Sequence, residues 1–185
     1  LCRGIHVIPP AALWTWRRDG SLNKRAYFTP DSWENQPALE PEEFYPKLRS
    51  TFVKRLPAYL RPDGTIGMSV TGGLDTRMIL ANLGSEKSRV HCYSFDGPYR
   101  ENLDVSIGRR VARAQGLPHT TIRITDDFFR QFDQLAEDVV LSTDGNLDMS
   151  GAPNIYVSKF AREISPIRLT GNYGSEVLRR HRAFG

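Results

Sequence analysis

Ser69-Val70-Thr71-Gly72-Gly73-Leu74-Asp75-Thr76-Arg77-Met78 gathers two hydroxyls, two glycines and a carboxylate into one short stretch. The apolar run Thr65-Ile66-Gly67-Met68-Ser69-Val70 precedes it, and Arg77 to Leu83 reads as helix, with Gly84 as its stop. Strand, tight loop and helix start, in that order, suit an anion. Unpaired N–H groups point out of a helix start, and the helix dipole adds partial positive charge. Gly72 and Gly73 are expected to turn the backbone with positive φ and to let it approach a ligand closely. Thr71 and Thr76 can donate to phosphate oxygens. Asp75 is the informative member, because a carboxylate in a phosphate nest is repulsive unless a cation sits between. Asp75 therefore reads as a ligand of Mg²⁺ carried on a nucleotide polyphosphate. No Lys-Ser or Lys-Thr closes the loop, which excludes the Walker A pattern. The competing description is an ordinary Gly-Gly turn between a strand and a helix.

The surrounding chain must position that loop. Leu13 to Trp16 and Leu22 to Phe28 read as a β-ribbon turned at Arg18-Asp19-Gly20-Ser21. Residues 29–41, with Pro30, Pro37 and Pro41, read as a linker. Glu42 to Leu60 is an expected amphipathic helix. Phe44, Leu48, Phe52, Leu56 and Leu60 form its core stripe, Pro46 is tolerated early, and Pro57 kinks the last turn. Val90 to Phe95 is a second buried strand. Leu103 to Gln115 is a helix capped by Asn102 and ended by Gly116. Thr120 to Ile124 is a third strand, and Thr125 or Asp126 caps a helix reaching Ala136. Another helix is expected from about Asn154 to Glu163. Ile167 to Leu169 is strand-like, and a helix opens near Glu176. Alternating strands and helices at this spacing predict an α/β fold, a parallel sheet with helices on both faces. Ligands of such sheets bind at the carboxyl ends of the strands, where the Gly-Gly loop falls.

Composition narrows the classes. A chain of 185 residues, 39% hydrophobic, has enough apolar material for one domain, or one domain plus a small piece. The net charge of +4 is spread along the chain, with one cluster at Arg179-Arg180-His181-Arg182. No nucleic-acid motif accompanies it. Cys2 and Cys92 match neither a disulfide framework nor a metal spacing, so a reducing cytoplasm is expected. No apolar run is long enough for a membrane span, and the N-terminus lacks the apolar core of a secretory leader.

Thr71-Gly72-Gly73-Leu74-Asp75-Thr76 resembles the Ser-Gly-Gly-x-Asp-Ser loop of the ATP pyrophosphatase (PP-loop) enzymes, both serines being threonine here. Within that group it is most similar to the synthetase domain of glutamine-hydrolysing asparagine synthetases and their relatives, including β-lactam synthetases. The resemblance implies Mg-ATP over the Gly-Gly loop, with Val70 and Phe95 against the adenine. For Phe95 a plain core role is an equal alternative. Leu169-Thr170-Gly171-Asn172-Tyr173-Gly174-Ser175-Glu176 resembles the family's Leu-Ser-Gly-x-Gly-x-Asp-Glu loop. That implies Thr170 and Gly171 at the nucleotide and Glu176 as a possible metal ligand beside Asp75. Ser175 stands where the family has Asp. Asp104, Val111 and Ala112 match a family helix that supports the fold more than the chemistry. Asp144 and Asp148 fall in the stretch that serves the acceptor in the family, whose Thr-Thr and Arg-Ala-Ser pattern is missing. A solvated loop is the alternative there, and aspartate need not be the acceptor.

The resemblance also organises the chain. Gly4-Ile5, Pro9-Pro10-Ala11 and Tyr27-Phe28 resemble the end of a glutaminase domain. Residues 1–28 are then a ribbon remnant, 29–41 a linker, and 42–185 an ATP-pyrophosphatase domain that is C-terminally incomplete. Cys2 is not the family's nucleophile, because Arg3 intervenes and the stretch before the domain is too short for a hydrolase. The implied activity is adenylation of a small-molecule or peptide carboxylate, release of pyrophosphate, and amide formation with glutamine-derived ammonia from the missing glutaminase domain. A β-lactam synthetase or peptide-cyclising homologue, a non-catalytic nucleotide-binding module and a polyanion-binding domain remain as alternatives. Neither nucleic acid nor membrane is an expected partner. The family's catalytic lysine lies beyond Gly185.

Overall fold

The computed structural model describes residues 5–61, 63–172 and 174. The chain divides into two compact units, Leu1–Leu48 and Arg49–Gly185. In the first, β1 (Ala12–Trp16) and β2 (Leu22–Ala26) form an antiparallel hairpin. Its turn closes with Gly20 at φ +82 and with Asp19 accepting from Ser21 N at 2.9 Å. The Lys24 ammonium lies 4.0 Å above the Trp14 ring, its cross-strand partner, as a cation–π pair. Strand β2 stops at Ala26, so Tyr27 and Phe28, expected inside it, follow it. The stretch read as a linker contains a short helix, α1 (Asp31–Glu34).

Helix α2 spans Pro41–Arg55, and the division between the units falls within it. It is shorter than expected. Pro57 cannot continue the α-helical ladder, so the chain tightens into a 3₁₀ helix at Leu56–Leu60. The stripe is only partly core: Leu56 and Leu60 are buried, while Phe44 is exposed.

The second unit is built on a four-stranded sheet of β3 (Ile66–Ser69), β4 (Val90–Asp96), β5 (His119–Arg123) and β6 (Arg168–Leu169). Its order is β5-β4-β3-β6 and every pairing is parallel. Between the strands run α3 (Leu74–Ala81), α4 (Leu103–Ala114), α5 (Asp126–Arg130), α6 (Phe132–Ser142) and α7 (Ala152–Ile164). Side chains alternate across the sheet. Ile66, Met68, Val90 and Cys92 pack with Ile79 and Leu80 of α3 and Ala112 of α4. Tyr93 and Ile122 point the other way and pack with Val157 and Ala161 of α7. The predicted α/β fold with helices on both faces is therefore the one observed.

Local chemistry explains the element ends. Asn102 caps α4 by accepting from Val105 N at 2.8 Å, and Gly116 follows the helix at φ +67. Helix α3 begins at Leu74, earlier than expected, which puts Asp75 and Thr76 in its first turn. Gly84, at φ +58, leads into a 3₁₀ helix rather than directly into the next strand. The single helix expected as far as Ala136 is two, α5 and α6, broken at Gln131. The break lets Phe128 of α5 and Leu135 and Val139 of α6 share one cluster with Tyr156 of α7. Thr125 occupies the cap position of α5 without a capping bond, its hydroxyl lying 3.2 Å from the Tyr156 hydroxyl instead. Helix α7 starts two residues early, with Pro153 in its first turn where a missing N–H costs nothing. Among the described residues, no helix is long and apolar enough to cross a membrane.

Candidate functional site

The Gly-Gly loop leaves the middle of the sheet. Val70 N donates to Tyr93 O at 2.8 Å, which holds the end of β3 beside β4, and the Val70 side chain is buried. Thr71, Gly72 and Gly73 then turn the chain into α3.

Two expectations about this turn are corrected. Neither glycine has positive φ: Gly73 is extended at φ −66, ψ 150, and Gly72 is not among the positive-φ residues. Glycine at 72 instead leaves room for the helix behind it. An added Cβ would lie 3.1 Å from both Asp104 Oδ1 and Ile107 Cδ1. Nor are all the loop N–H groups open. Gly72 N donates to Asp104 Oδ1 at 2.9 Å, and Gly73 N donates to Thr71 Oγ1 at 3.2 Å. Thr71 thus accepts from the loop itself, and Thr76 Oγ1 donates to Gly73 O at 3.5 Å. Arg77 turns back, Nη2 donating to Gly72 O at 3.1 Å and Nε to Gly73 O at 3.2 Å.

The chain after β6 meets this helix start. A Cβ on Gly171 would lie 3.0 Å from Asp75 Cβ and 3.1 Å from Thr76 N. One on Gly174 would lie 3.1 Å from both Cγ and Oδ1 of the Asp75 carboxyl. Gly171 and Gly174, about a hundred residues further along the chain, thus lie against the Asp75 side chain. Glycine at 171 and 174 lets the chain lie close against it, and any side chain there would require Asp75 or its neighbours to shift. Glu176, with Ser175 and Arg179 to Arg182, lies outside the described residues.

Phe95 stands near the carboxyl end of β4, one residue beyond Ser94, whose hydroxyl donates to Val70 O at 2.5 Å. Its side chain is exposed, so it is not a core residue. The following turn is fixed by buried Asp96, which accepts from Gly97 N and Asn102 N. Asp144 and Asp148 have local roles. Asp144 takes a left-handed conformation, φ 51, at the end of α6. Asp148 caps the 3₁₀ helix Met149–Gly151, and its hydrogen bonds from the hydroxyl and N–H of Ser150 hold its carboxyl below the usual range. Among the described residues, no hydrogen bond or ion pair joins either acid to the Gly-Gly loop.

Sequence reasoning undervalued the helix behind the loop. Asp104, Ile107 and Gly108 share one face of α4. All three press on residues 70–72: Asp104 and Ile107 on Gly72, Gly108 on Val70 O. Ser94 has one proton, which goes to Val70 O, so the 2.9 Å contact with His119 is an imidazole N–H donated to Ser94 Oγ. A glycine inside an otherwise good helix was the readable signal. Burial first, then Arg109 and His91, lower the His119 pKa, with Glu101 acting the other way.

The donor set suits a metal that arrives on a ligand better than one held by the protein alone. No group of three His, Cys, Asp or Glu that could hold an ion occurs among the described residues. Asp75 supplies one carboxylate, and Mg²⁺ commonly takes one or two carboxylates with phosphates and water. Away from the loop, a cavity of about 480 Å³ runs along β5 and α7, between Arg123, Thr125, Tyr156 and Glu163.

A parallel α/β sheet with a glycine-rich loop and a helix N-terminus at its carboxyl end defines a nucleotide-binding class. Residues 47–182 match the asparagine synthase family, and the chain belongs to it. That is a family of ATP-utilising amidotransferases and ligases. No protein of curated function matches the sequence. Among solved structures, glutamine-dependent NAD⁺ synthetase from Acinetobacter baumannii in complex with ADP is similar at TM-score 0.49 and 17% identity, over 93% of this chain and 32% of that one. NH₃-dependent NAD synthetase from Campylobacter jejuni follows at TM-score 0.45 and 11% identity, over 74% of this chain and 62% of that one. NMN synthetase from Francisella tularensis gives TM-score 0.35 and 17% identity, covering 72% and 54%. The chain spans less than two thirds of each of these proteins.

Proposed function

We propose that this chain is the nucleotide-binding part of an asparagine synthetase-like ligase that adenylates an acceptor carboxylate. The observation that carries the reading is the packing of Gly171 and Gly174 against Asp75 at the head of α3. A plain Gly-Gly turn gives no reason for two further glycines packed against an acid. In this reading ATP lies over Thr71 to Thr76, with Thr170 and Gly171 on its other side and Phe95 near the adenine. An acceptor carboxylate oxygen attacks the α-phosphorus, the bond to the β-phosphate oxygen breaks, and pyrophosphate leaves. An amine, in the family's chemistry ammonia, then attacks the acyl carbon, AMP departs and a proton is lost, leaving an amide. Mg²⁺ on Asp75 would offset charge on the departing pyrophosphate. The chain's own part is to shape the phosphate seat and to hold Asp75 against it.

The acceptor, the glutaminase partner, the ribbon 1–28 as that domain's remnant, and a cytoplasmic location all belong to the same proposal. A non-catalytic nucleotide-binding module is the second reading, favoured by Ser175 where the family carries an acid. Calorimetry of ATP binding, with Mg²⁺ and with EDTA, on the wild type and on Asp75→Ala tests both. The first reading expects binding that needs Mg²⁺ and is lost in the variant. Tight binding indifferent to metal and to Asp75 favours the module. No binding by the wild type refutes both.

A further inference from the structure

We infer that Asp104 is a specificity residue of the phosphate seat, an internal anion that makes the loop refuse polyphosphate unless a cation accompanies it. The inference rests on the nucleotide reading above. Its basis is the contact between Asp104 Oδ1 and Gly72 N at 2.9 Å. That N–H belongs to the loop that would face the phosphates, and the chain has already given it an anion.

The helix that carries this carboxylate is fixed against the loop by more than the one hydrogen bond. One turn further along α4, Ile107 is in contact range of Gly72, and a Cβ on Gly108 would lie 2.6 Å from Val70 O. Helix and loop are thus keyed together at three points. Asp104 is also two residues into a helix whose N-terminus is fixed by the Asn102 cap. A phosphate oxygen seeking the Gly72 N–H must therefore approach beside a carboxylate oxygen that already accepts from it, on a side chain that is itself exposed.

The other charges sharpen the effect. Asp75 places a second carboxylate at the start of α3, against Gly171 and Gly174. Arg77, a cation in the same stretch, is turned onto the carbonyls of Gly72 and Gly73. A bare polyphosphate meets two carboxylates at this seat. The same polyphosphate carrying a divalent cation meets them with part of its charge cancelled. Like charges a few ångströms apart repel strongly even near a surface, and salt screens that repulsion. Asp104 thereby sets a preference for the metal complex without ligating the metal.

Asp104→Asn separates charge from shape, because its side-chain oxygen still accepts from Gly72 N. The full chain is titrated at low salt with ATP and with inorganic tripolyphosphate, each in Mg²⁺ and in EDTA. In the variant, metal-free ATP should bind about fivefold to tenfold tighter, the scale of removing one partly screened charge. Binding of Mg-ATP should change by less than about threefold, since the backbone seat is unaltered. Metal-free tripolyphosphate should compete in the variant and not in the wild type, and added salt should narrow the gap. An unchanged ratio of metal-free to Mg-ATP affinity in a folded variant overturns the inference and leaves ATP binding standing. A wild type that binds no Mg-ATP overturns both together. A third measurement does not depend on the variant folding. In ¹⁵N-glycine spectra of the wild type, the Gly72 amide should shift with Mg-ATP and stay still with metal-free tripolyphosphate. Movement with the metal-free anion overturns the inference.

Discussion

Replacing Gly108 by alanine sets two well-understood effects against each other. Inside a helix, alanine is normally worth about 1 kcal/mol over glycine, so propensity alone predicts a gain. The packing predicts the opposite. A Cβ at 108 would lie 2.5 Å from Ser94 Oγ and 2.6 Å from Val70 O, and the second neighbour is backbone. Real carbon atoms do not approach so closely, so α4 or the end of β3 must move. Overpacking of this kind costs about 1–3 kcal/mol, and two contacts this short argue for the upper half. The displaced Ser94 to Val70 hydrogen bond adds about 1 kcal/mol. After the propensity gain is subtracted, Gly108→Ala should destabilise by about 2–3 kcal/mol. For a chain of this size that lowers the melting temperature by roughly 4–12 °C. Urea unfolding followed by circular dichroism measures the first figure and a thermal scan the second. Because Val70 leads directly into the Gly-Gly loop, ATP affinity should fall as well. A variant that melts higher than wild type, by the amount propensity predicts, would refute the account of α4 as the loop's backing.

Three further outcomes follow from local contacts. Gly171→Ala should weaken ATP binding by about tenfold, since its methyl group must displace the backbone of Asp75 and Thr76 from contacts of 3.0–3.2 Å; unchanged affinity in a titration would show that this loop is remote from the ligand. Burial pushes the Cys92 thiol up to about 11, so it should resist iodoacetamide at pH 8 in the folded protein and react once urea unfolds it, as mass spectrometry can follow. His119 is held below its ordinary pKa of 6.5, chiefly by burial. The unfolded chain therefore takes up a proton before the folded one does. Stability should be full above about pH 6.5 and decline as pH falls below it, and His119→Gln should flatten that slope in urea titrations between pH 7 and pH 5.

The order of elements was legible because punctuation and apolar runs agree. Asn102 and Gly116 bracket α4 where a cap and a left-handed stop are needed. The buried strands announce themselves through runs such as Val90 to Phe95. What could not be read depends on contacts distant in sequence. Nothing local reveals that Gln131 interrupts a helix, since the reason is the shared burial of Phe128, Leu135, Val139 and Tyr156. The loop's residues were legible while its conformation was not. Glycines at 72 and 73 suggested positive φ, yet Gly72 is small because Asp104 and Ile107, more than thirty positions away, crowd it. The part played by Asp104 was hidden for the same reason. Asp144 and Asp148 show the converse, acids whose types suggested ligands and whose observed partners are their own turns.

Ser165 draws the two ends of the second unit together. Its hydroxyl donates at 2.6 Å to Thr65 O, at the entry to β3, and lies 2.9 Å from Ile167 O, at the entry to β6. The central strand of the sheet therefore gains its second neighbour only from a segment made a hundred residues later. During synthesis, β3, β4 and β5 can pair as soon as residue 123 is free, but Asp75 stays uncovered until residues 170–174 emerge. Joining such distant segments is entropically costly and slow relative to local pairing. The order of translation thus imposes a timetable: β3, β4 and β5 can associate before β6 and the glycines that cover Asp75 are made. A ribosome stalled before Ser165 would carry a chain whose β3 lacks its second neighbour and whose Asp75 lacks the cover of Gly171 and Gly174.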